Sequence, residues 1–122
     1  MIQIRLNMRG VSETRPRVTK FGTYNAPKYD SYKRSLQYKM RGFNRLPNVP
    51  LRMEIFFGFT PAKNADKSKY PVPKHNVDDL AKGVLDACNG ILFEDDVLIE
   101  ELIVTKRYVD KDVVLITIKE IE

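Results

Sequence analysis

The sequence has only one cysteine and one histidine among its 122 residues. Because Cys88 stands alone, a disulfide framework and a thiolate metal site within one chain are excluded. Cys88 also lies in a helical pattern, so it is predicted to be a small buried apolar side chain. With His75 as the only histidine, a catalytic role for Cys88 is not favoured.

Long apolar runs are missing as well. No stretch approaches the roughly 20 apolar residues that a membrane helix requires, and the first residues, MIQIRLNMRG, lack the apolar core of a signal peptide. Repeats and low-complexity tracts are also lacking. We therefore expect a cytoplasmic protein with one domain over residues 1–122, long enough for a single modest core.

The charge is unevenly distributed along a chain of net charge +5. Most lysines and arginines precede Asn76, whereas only four acidic residues do, namely Glu13, Asp30, Glu54 and Asp66. A basic half of this kind favours a polyanionic partner such as nucleic acid. The later half, by contrast, concentrates carboxylates of the type that bind a hard metal ion.

Hydrophobic periodicity predicts four main strands and two helices. The strand segments are IQIRL, LRMEIFFGF, VLIEELIVTKRY and VVLITIKEI, and ILF is a further short strand candidate. Helices are predicted over residues 28–43 and 77–89, with Gly90 just beyond the end of the second. Residues 9–28 and 60–75 are predicted to be long loops. The order β-α-β-α-β-β predicts an α+β domain with a mixed sheet and two helices packed on it.

The segment KHNVDDLAKGVLDACNGILFEDD, residues 74–96, collects six of the carboxylates. One interpretation is structural. Asn76 would be the N-cap of the helix, Asp79 would complete a capping box, and Asp78 would pair with Lys82 one turn later. In this interpretation EDD is a polar turn.

The other interpretation is a metal site. A helix, a turn and a short strand can bring Asp78 and Asp79 toward Asp95 and Asp96. Mg²⁺ takes oxygen ligands and commonly uses only one or two protein carboxylates, with water and phosphate completing its shell. Lys82, on the face of Asp78, would neutralise charge on a phosphate oxygen or orient a water.

Two segments in order, ETRPRVTKFGTYNAPKYDSYKRSL and HNVDDLAKGVLDACNGILFEDDVLI, resemble the RusA family of Holliday junction resolvases, which is common in phages and prophages. The resemblance implies a small α+β homodimer that binds four-way DNA junctions. It also implies Mg²⁺-dependent cleavage, with Mn²⁺ as a substitute, of two strands of like polarity. By position in the motif, it assigns the metal-binding and catalytic carboxylates to Asp78 and Asp96 and the catalytic lysine to Lys82, and it leaves Asp86 a structural role.

The chain departs from the family pattern at three positions. Asn76 stands where the family has its first aspartate, Asp79 where it has an asparagine, and Leu98 where it has a glutamine. The metal site therefore has one carboxylate fewer at Asn76. Asp79 either replaces it as a ligand or serves only the capping box, so both Asn76 and Asp79 are candidate ligands.

The basic loops are the candidate DNA-binding segments. Arg15, Arg17 and Lys20 lie beside Pro16 and Gly22, where extended backbone can place charges along a phosphate chain. Lys74 adds a positive charge next to the acidic helix. The sequence thus predicts a structure-selective endodeoxyribonuclease of recombination and repair. The alternatives are a junction-binding protein of the same fold without cleavage, and a basic scaffold whose acids only cap helices.

Overall fold

The computed structural model describes residues 1–12, 17–19, 22–24, 27–61 and 75–121, and of 17–19 and 22–24 it describes the backbone. The helices are α1, Pro27–Met40, and α2, Val77–Cys88. The strands are β1, Ile2–Leu6, β2, Arg17–Thr19, β3, Gly22–Tyr24, β4, Leu51–Phe59, β5, Ile99–Tyr108, and β6, Val113–Glu120. A 3₁₀ turn, Asp96–Leu98, precedes β5.

Four strands form a mixed sheet in the order β1-β6-β4-β5. The pairs β1–β6 and β4–β6 are antiparallel, whereas β4 and β5 are parallel. Parallel neighbours need a crossover connection, and here the connection contains α2. The predicted α+β class, with two helices on a mixed sheet, is confirmed.

The core lies between one face of this sheet and the two helices. Alternation in β1 buries Ile2, Ile4 and Leu6, and β4 buries every second residue from Leu51 to Phe59. The helix predicted over residues 28–43 is α1, which ends three residues earlier than predicted, and its buried face consists of Tyr29, Tyr32, Leu36 and Met40. Of these side chains, Tyr32, Leu36 and Met40 join the apolar residues of α2 in one cluster. The core therefore holds α2 rigidly against the sheet.

Two predictions of local structure are wrong. The loop predicted over residues 9–28 contains a short antiparallel hairpin, β2–β3, in which Arg17 lies opposite Tyr24. The segment ILF is a turn and not a strand, since only an isolated bridge joins Asn89 to Phe93. Leu92 and Phe93 instead fill the core from this turn. Most of the predicted loop at 60–75 lies outside the described residues.

None of the helices in the described part of the chain is long and apolar enough to span a membrane. Cys88 is buried and its thiol is reduced, as predicted. Burial raises the pKa of this thiol far above its ordinary value. A thiolate is therefore strongly disfavoured, and Cys88 packs as an apolar side chain.

Candidate active site

One face of α2 carries Asp78, Lys82 and Asp86 at intervals of four residues. Residues four apart lie on the same helix face, and eight residues rise about 12 Å along the axis. Asp78 and Lys82 are exposed and Asp86 is half-buried. The opposite face is anchored by Leu80, Val84 and Cys88, which are fully buried. The core thus fixes a helix whose outer face alternates acidic and basic groups.

The first turn of α2 contains the residues of the predicted capping box. Asn76 is the N-cap by position, and its carbonyl accepts the hydrogen bond from the Leu80 N–H at 3.1 Å. Its side chain, however, makes no capping hydrogen bond. The prediction that the Asn76 side chain caps the helix is therefore wrong, and the amide remains exposed at the helix start. Asp79 is half-buried, one residue and about 100° around the helix from Asp78.

After α2 the chain reverses direction and returns toward the last turn of this helix. Gly90 has φ of 79°, a left-handed conformation that favours glycine, and its N–H donates to the Phe93 carbonyl at 2.8 Å. After this reversal, the backbone N–H of Asp96 donates to Oδ1 of Asn89 at 2.9 Å. Asn89 was not among the predicted site residues, yet its side chain fixes Asp96 beside the end of α2.

Asp95 and Asp96 have different roles. Oδ1 of Asp95 accepts from the Val97 N–H at 3.1 Å, so Asp95 caps the 3₁₀ turn. Asp96 is exposed, and its pKa lies above the ordinary value because of desolvation, a hydrogen bond with Asp95 and the negative charges of Asp95 and Asp86. Asp86, interpreted from the sequence as structural, therefore contributes to the electrostatics around Asp96.

The donor set suits a hard divalent cation. All the candidate ligands around α2 and the 3₁₀ turn are carboxylate or amide oxygens, which Mg²⁺ prefers. Desolvation raises the pKa of Asp96 and the nearby carboxylates of Asp95 and Asp86 raise it further, and a bound cation would relieve that repulsion. Within the described residues, no three His, Cys, Asp or Glu side chains form a ligand group. Asp78 lies in the first turn of α2, whereas Asp96 lies beside the C-terminal end of this helix, so the structure does not bring these two carboxylates together. A metal ion held at either end would use one or two carboxylates and complete its shell with water and phosphate.

The predicted DNA-binding residues fall mostly outside the described part of the chain. Arg15, Lys20 and Lys74 are not among the described residues, and Arg17 is described only by its backbone position at the start of β2. Whether these side chains contact DNA stays a prediction. The structure shows that the backbone at Arg17 is extended, in the hairpin β2–β3.

A second polar cluster at the end of β4 had no signal in the sequence, because its members are far apart in the chain. Oδ1 of Asp112 accepts hydrogen bonds from the Thr60 N–H at 2.8 Å, from Thr60 Oγ1 at 3.0 Å and from Arg9 at 3.2 Å. Partial burial would raise the pKa of Asp112, but these hydrogen bonds and the Arg9 charge outweigh it and lower the pKa. The cluster ties the chain after β1 to the end of β4.

The comparisons with known proteins identify the family of the chain. No curated protein matches the chain. The family model described as endodeoxyribonuclease RusA matches residues 7–119, which include both helices, the acidic turn and every strand except β1 and the last residue of β6. A match over almost the whole chain shows the family, and with it a nuclease that acts on DNA: the chain belongs to the RusA endodeoxyribonuclease family.

Proposed function

We propose that this protein is a Mg²⁺-dependent endonuclease that resolves four-way DNA junctions during recombination and repair, in the cytoplasm of a phage-infected or prophage-carrying host. The observation that carries the proposal is the outer face of α2, with Asp78 and Lys82, together with Asp96 held by Asn89. The family match over residues 7–119 supports a nuclease, and the carboxylates support a metal site.

In this proposal Asp78 and Asp96 hold the metal ion, with Asn76 and Asp79 as further candidate ligands. When bound, Mg²⁺ would supply an activated water and neutralise charge at the scissile phosphate. Lys82, exposed one turn from Asp78, would face the phosphate and stabilise the negative charge that develops on its oxygens. The buried side of α2 keeps Asp78 and Lys82 in fixed relative positions and so reduces the cost of orienting them.

The test is a cleavage assay on a synthetic four-way junction with Mg²⁺ or Mn²⁺, with a linear duplex and a flap as comparison substrates. Asp78→Asn and Asp96→Asn are each expected to lower the cleavage rate by at least about a hundredfold. Junction binding should stay intact or become tighter, because one repulsive charge toward phosphate is removed. Asp110→Asn, an exposed acid in the β5–β6 turn, is the matched control and should cut at the wild-type rate.

Asn76 and Asp79 need a separate experiment, because either can supply the oxygen at the helix start. If Asp79 is not a ligand, Asn76→Asp should lower the Mg²⁺ concentration for half-maximal cleavage, and Asp79→Asn should change it little. We expect this outcome, since Asp79 points about 100° away from Asp78. An Asp79→Asn variant that folds normally and cuts no DNA would instead make Asp79 the substitute ligand.

Asn76 also favours a second candidate function, a junction-binding protein that has lost cleavage. Asparagine supplies an oxygen but no charge, so it weakens Mg²⁺ binding at this position. Tight and structure-selective binding of the junction, without nicking at any Mg²⁺ or Mn²⁺ concentration, would select this alternative. Cleavage restored by Asn76→Asp would support it further.

A homodimer is part of the proposal, because two strands are cut. Strand β5 is an edge of the sheet, and it exposes Leu102 and Ile103 by 42% and 48%. Acidic residues lie near its start and basic residues near its end, so antiparallel pairing with a second copy would bring opposite charges together. We expect a dimer by light scattering, and Ile103→Lys should shift it to monomer. A wild-type monomer at micromolar concentration would contradict the dimer.

A further inference from the structure

The sole histidine lies at the meeting point of three elements. Its ring stacks on the ring of Phe59, with 4.9 Å between the centroids and 9° between the planes. Its Nδ1 lies 2.6 Å from Oγ of Ser12, in a hydrogen bond whose donor depends on the tautomer. Its backbone carbonyl accepts a hydrogen bond from Nζ of Lys106 on β5. His75 is therefore fixed through its ring face, its ring nitrogen and its backbone.

Phe59 gives these contacts a rigid base. It is the last residue of β4 and is fully buried. The guanidinium of Arg9 also lies over its ring, with Cζ 4.9 Å from the centroid. A cation over an aromatic ring is attracted by the ring's electron density, and stacked rings add to the apolar contact. Arg9 and Ser12, from the chain after β1, and His75 are thus organised around the end of β4.

The residues of this cluster stand next to the two segments that the sequence assigns to DNA binding and to metal binding. Ser12 is the last described residue before the basic segment 13–24, which contains the predicted phosphate-binding Arg15 and Arg17. His75 stands three residues before Asp78, at the entry to α2. The hydrogen bond between Ser12 and His75 therefore joins the residue before the basic segment to the entry of α2, across 63 residues of sequence.

We propose that His75 is a positioning residue for cleavage. Its hydrogen bond to Ser12 and its stacking on Phe59, together called the His75 clasp, hold the entry to α2 against the chain at Ser12 and the end of β4. The clasp thereby keeps Asp78 and Lys82, in the first turns of α2, in the geometry needed for reaction. This inference rests on the proposed nuclease function. A displacement of about 1 Å at a reacting centre can lower a rate by up to a hundredfold, so a small contact can have a large effect.

Two variants break the hydrogen bond from opposite sides. His75→Phe keeps an aromatic ring to stack on Phe59 and removes Nδ1, and Ser12→Ala removes the hydroxyl. Ser35→Ala is the matched control, because Oγ of Ser35 donates to the Ser31 carbonyl on the exposed side of α1, far from the clasp in the chain. The rate of a single turnover at saturating protein reports cleavage of bound junction. The Kd without divalent metal reports binding alone.

We expect His75→Phe and Ser12→Ala each to lower the single-turnover rate about tenfold, with less than a twofold change in Kd. The double variant should lose no more than either single variant, because both remove the same bond. Ser35→Ala should behave as wild type. Unchanged rates, or additive losses in the double variant, would overturn the proposal. The proposal would also be overturned if rate and affinity fell equally and the melting temperature dropped, because His75 would then only stabilise the fold.

A readout independent of activity separates this inference from the proposed function. The Leu80 N–H makes the first hydrogen bond of α2, to the Asn76 carbonyl, immediately after His75. Its hydrogen exchange should be at least about fivefold faster in both clasp variants, because the entry to the helix is less firmly held. The Leu46 N–H, bonded to the Leu92 carbonyl at 2.8 Å, is the internal control and should not change.

The two measurements fail in different ways. If the wild-type protein cuts no junction, the proposed function fails, and exchange at Leu80 still decides whether the clasp anchors α2. If cleavage is present but exchange at Leu80 is the same in wild type and both variants, the clasp is wrong and the proposed function stands.

Discussion

Gly10 is the position where a single methyl group should disturb the chain that leads into the basic segment. It is buried, and a Cβ built there would lie 2.7 Å from Cδ1 and 3.2 Å from Cε1 of Phe57. Ordinary carbon contacts are about 3.5–4.0 Å, so the overlap is roughly 1 Å. Phe57 is fully buried in the central strand β4 and has little room to move. The chain around Gly10, with Arg9 and Ser12, must shift instead.

The expected cost of Gly10→Ala follows from two opposing effects. Overpacking of a dense core costs about 1–3 kcal/mol. Replacing glycine lowers the entropy of the unfolded chain and returns about 0.4–1 kcal/mol. The net loss should be about 1–2 kcal/mol, which corresponds to a melting temperature lower by roughly 3–10 °C in a chain of this size.

Urea unfolding is the assay, with Gly42→Ala as the matched control. A Cβ on Gly42 would lie 3.6 Å from its nearest neighbour, the Lys39 carbonyl, which is an ordinary contact. Gly10→Ala should lower the urea midpoint by about 0.5–1 M with an unchanged slope, and Gly42→Ala should not lower it. Adding Phe57→Leu to Gly10→Ala should cost less than the sum of the single changes, since the smaller side chain makes room. Wild-type stability of Gly10→Ala, or strict additivity, would refute the packing argument.

Four further predictions concern charge. Asp96→Asn should raise the melting temperature of the metal-free protein at pH 7 by about 1–3 °C, because the raised pKa of Asp96 means that its charged form destabilises the fold. Calorimetry should show that this gain vanishes below about pH 4, where the carboxyl is protonated in the folded and unfolded states. Burial raises the pKa of Tyr32 to about 12. The stability that the protonated phenol contributes is therefore present below about pH 10 and falls by about 2 kcal/mol at pH 11.5. Urea unfolding of Tyr32→Phe should lack this alkaline decrease in unfolding free energy. The lowered pKa of Asp112 gives stability that is present above about pH 4 and is lost on acidification, so the acid-side decline in unfolding free energy should be shallower in Asp112→Asn. For Arg15→Ala, the log–log salt slope of junction binding should become flatter by about one unit, and an unchanged slope would mean that Arg15 contacts no phosphate.

Much of the fold could be predicted because its signals are local. Alternating apolar residues identify β1, β4 and β6, and the helical spacing from Tyr29 to Met40 identifies α1. Gly90 marks the end of α2 because only a residue that tolerates positive φ fits there. These patterns give the elements and the α+β class directly.

Short or irregular elements were missed because they carry too little local periodicity to identify them. The three-residue strands β2 and β3 are too short for periodicity to identify them. The segment ILF has the composition of a strand, but Leu92 and Phe93 are apolar because the turn after α2 packs into the core. The composition of ILF predicts that its side chains are buried, but only tertiary packing decides whether the segment is a strand or a buried turn.

The candidate site stays a prediction, and the structure shows only where its described residues lie. The sequence motif placed Asp78 and Lys82 on one helix and assigned Asp96 to the same site. It gave no signal for Asn89, whose side chain holds Asp96, or for the effect of Asp86 on the Asp96 pKa. Metal and DNA binding by the candidate residues stay predictions.

What the sequence by itself determined is the set of helices and strands, the family motif and the separation of basic and acidic segments, since each depends on neighbours within a few residues. Only the tertiary structure decided that β4 and β5 run parallel, that Arg9 reaches Asp112 and that Ser12 meets His75. These contacts join residues that are 48 or more positions apart. No local pattern encodes them, because they form only when the packed core brings distant segments together.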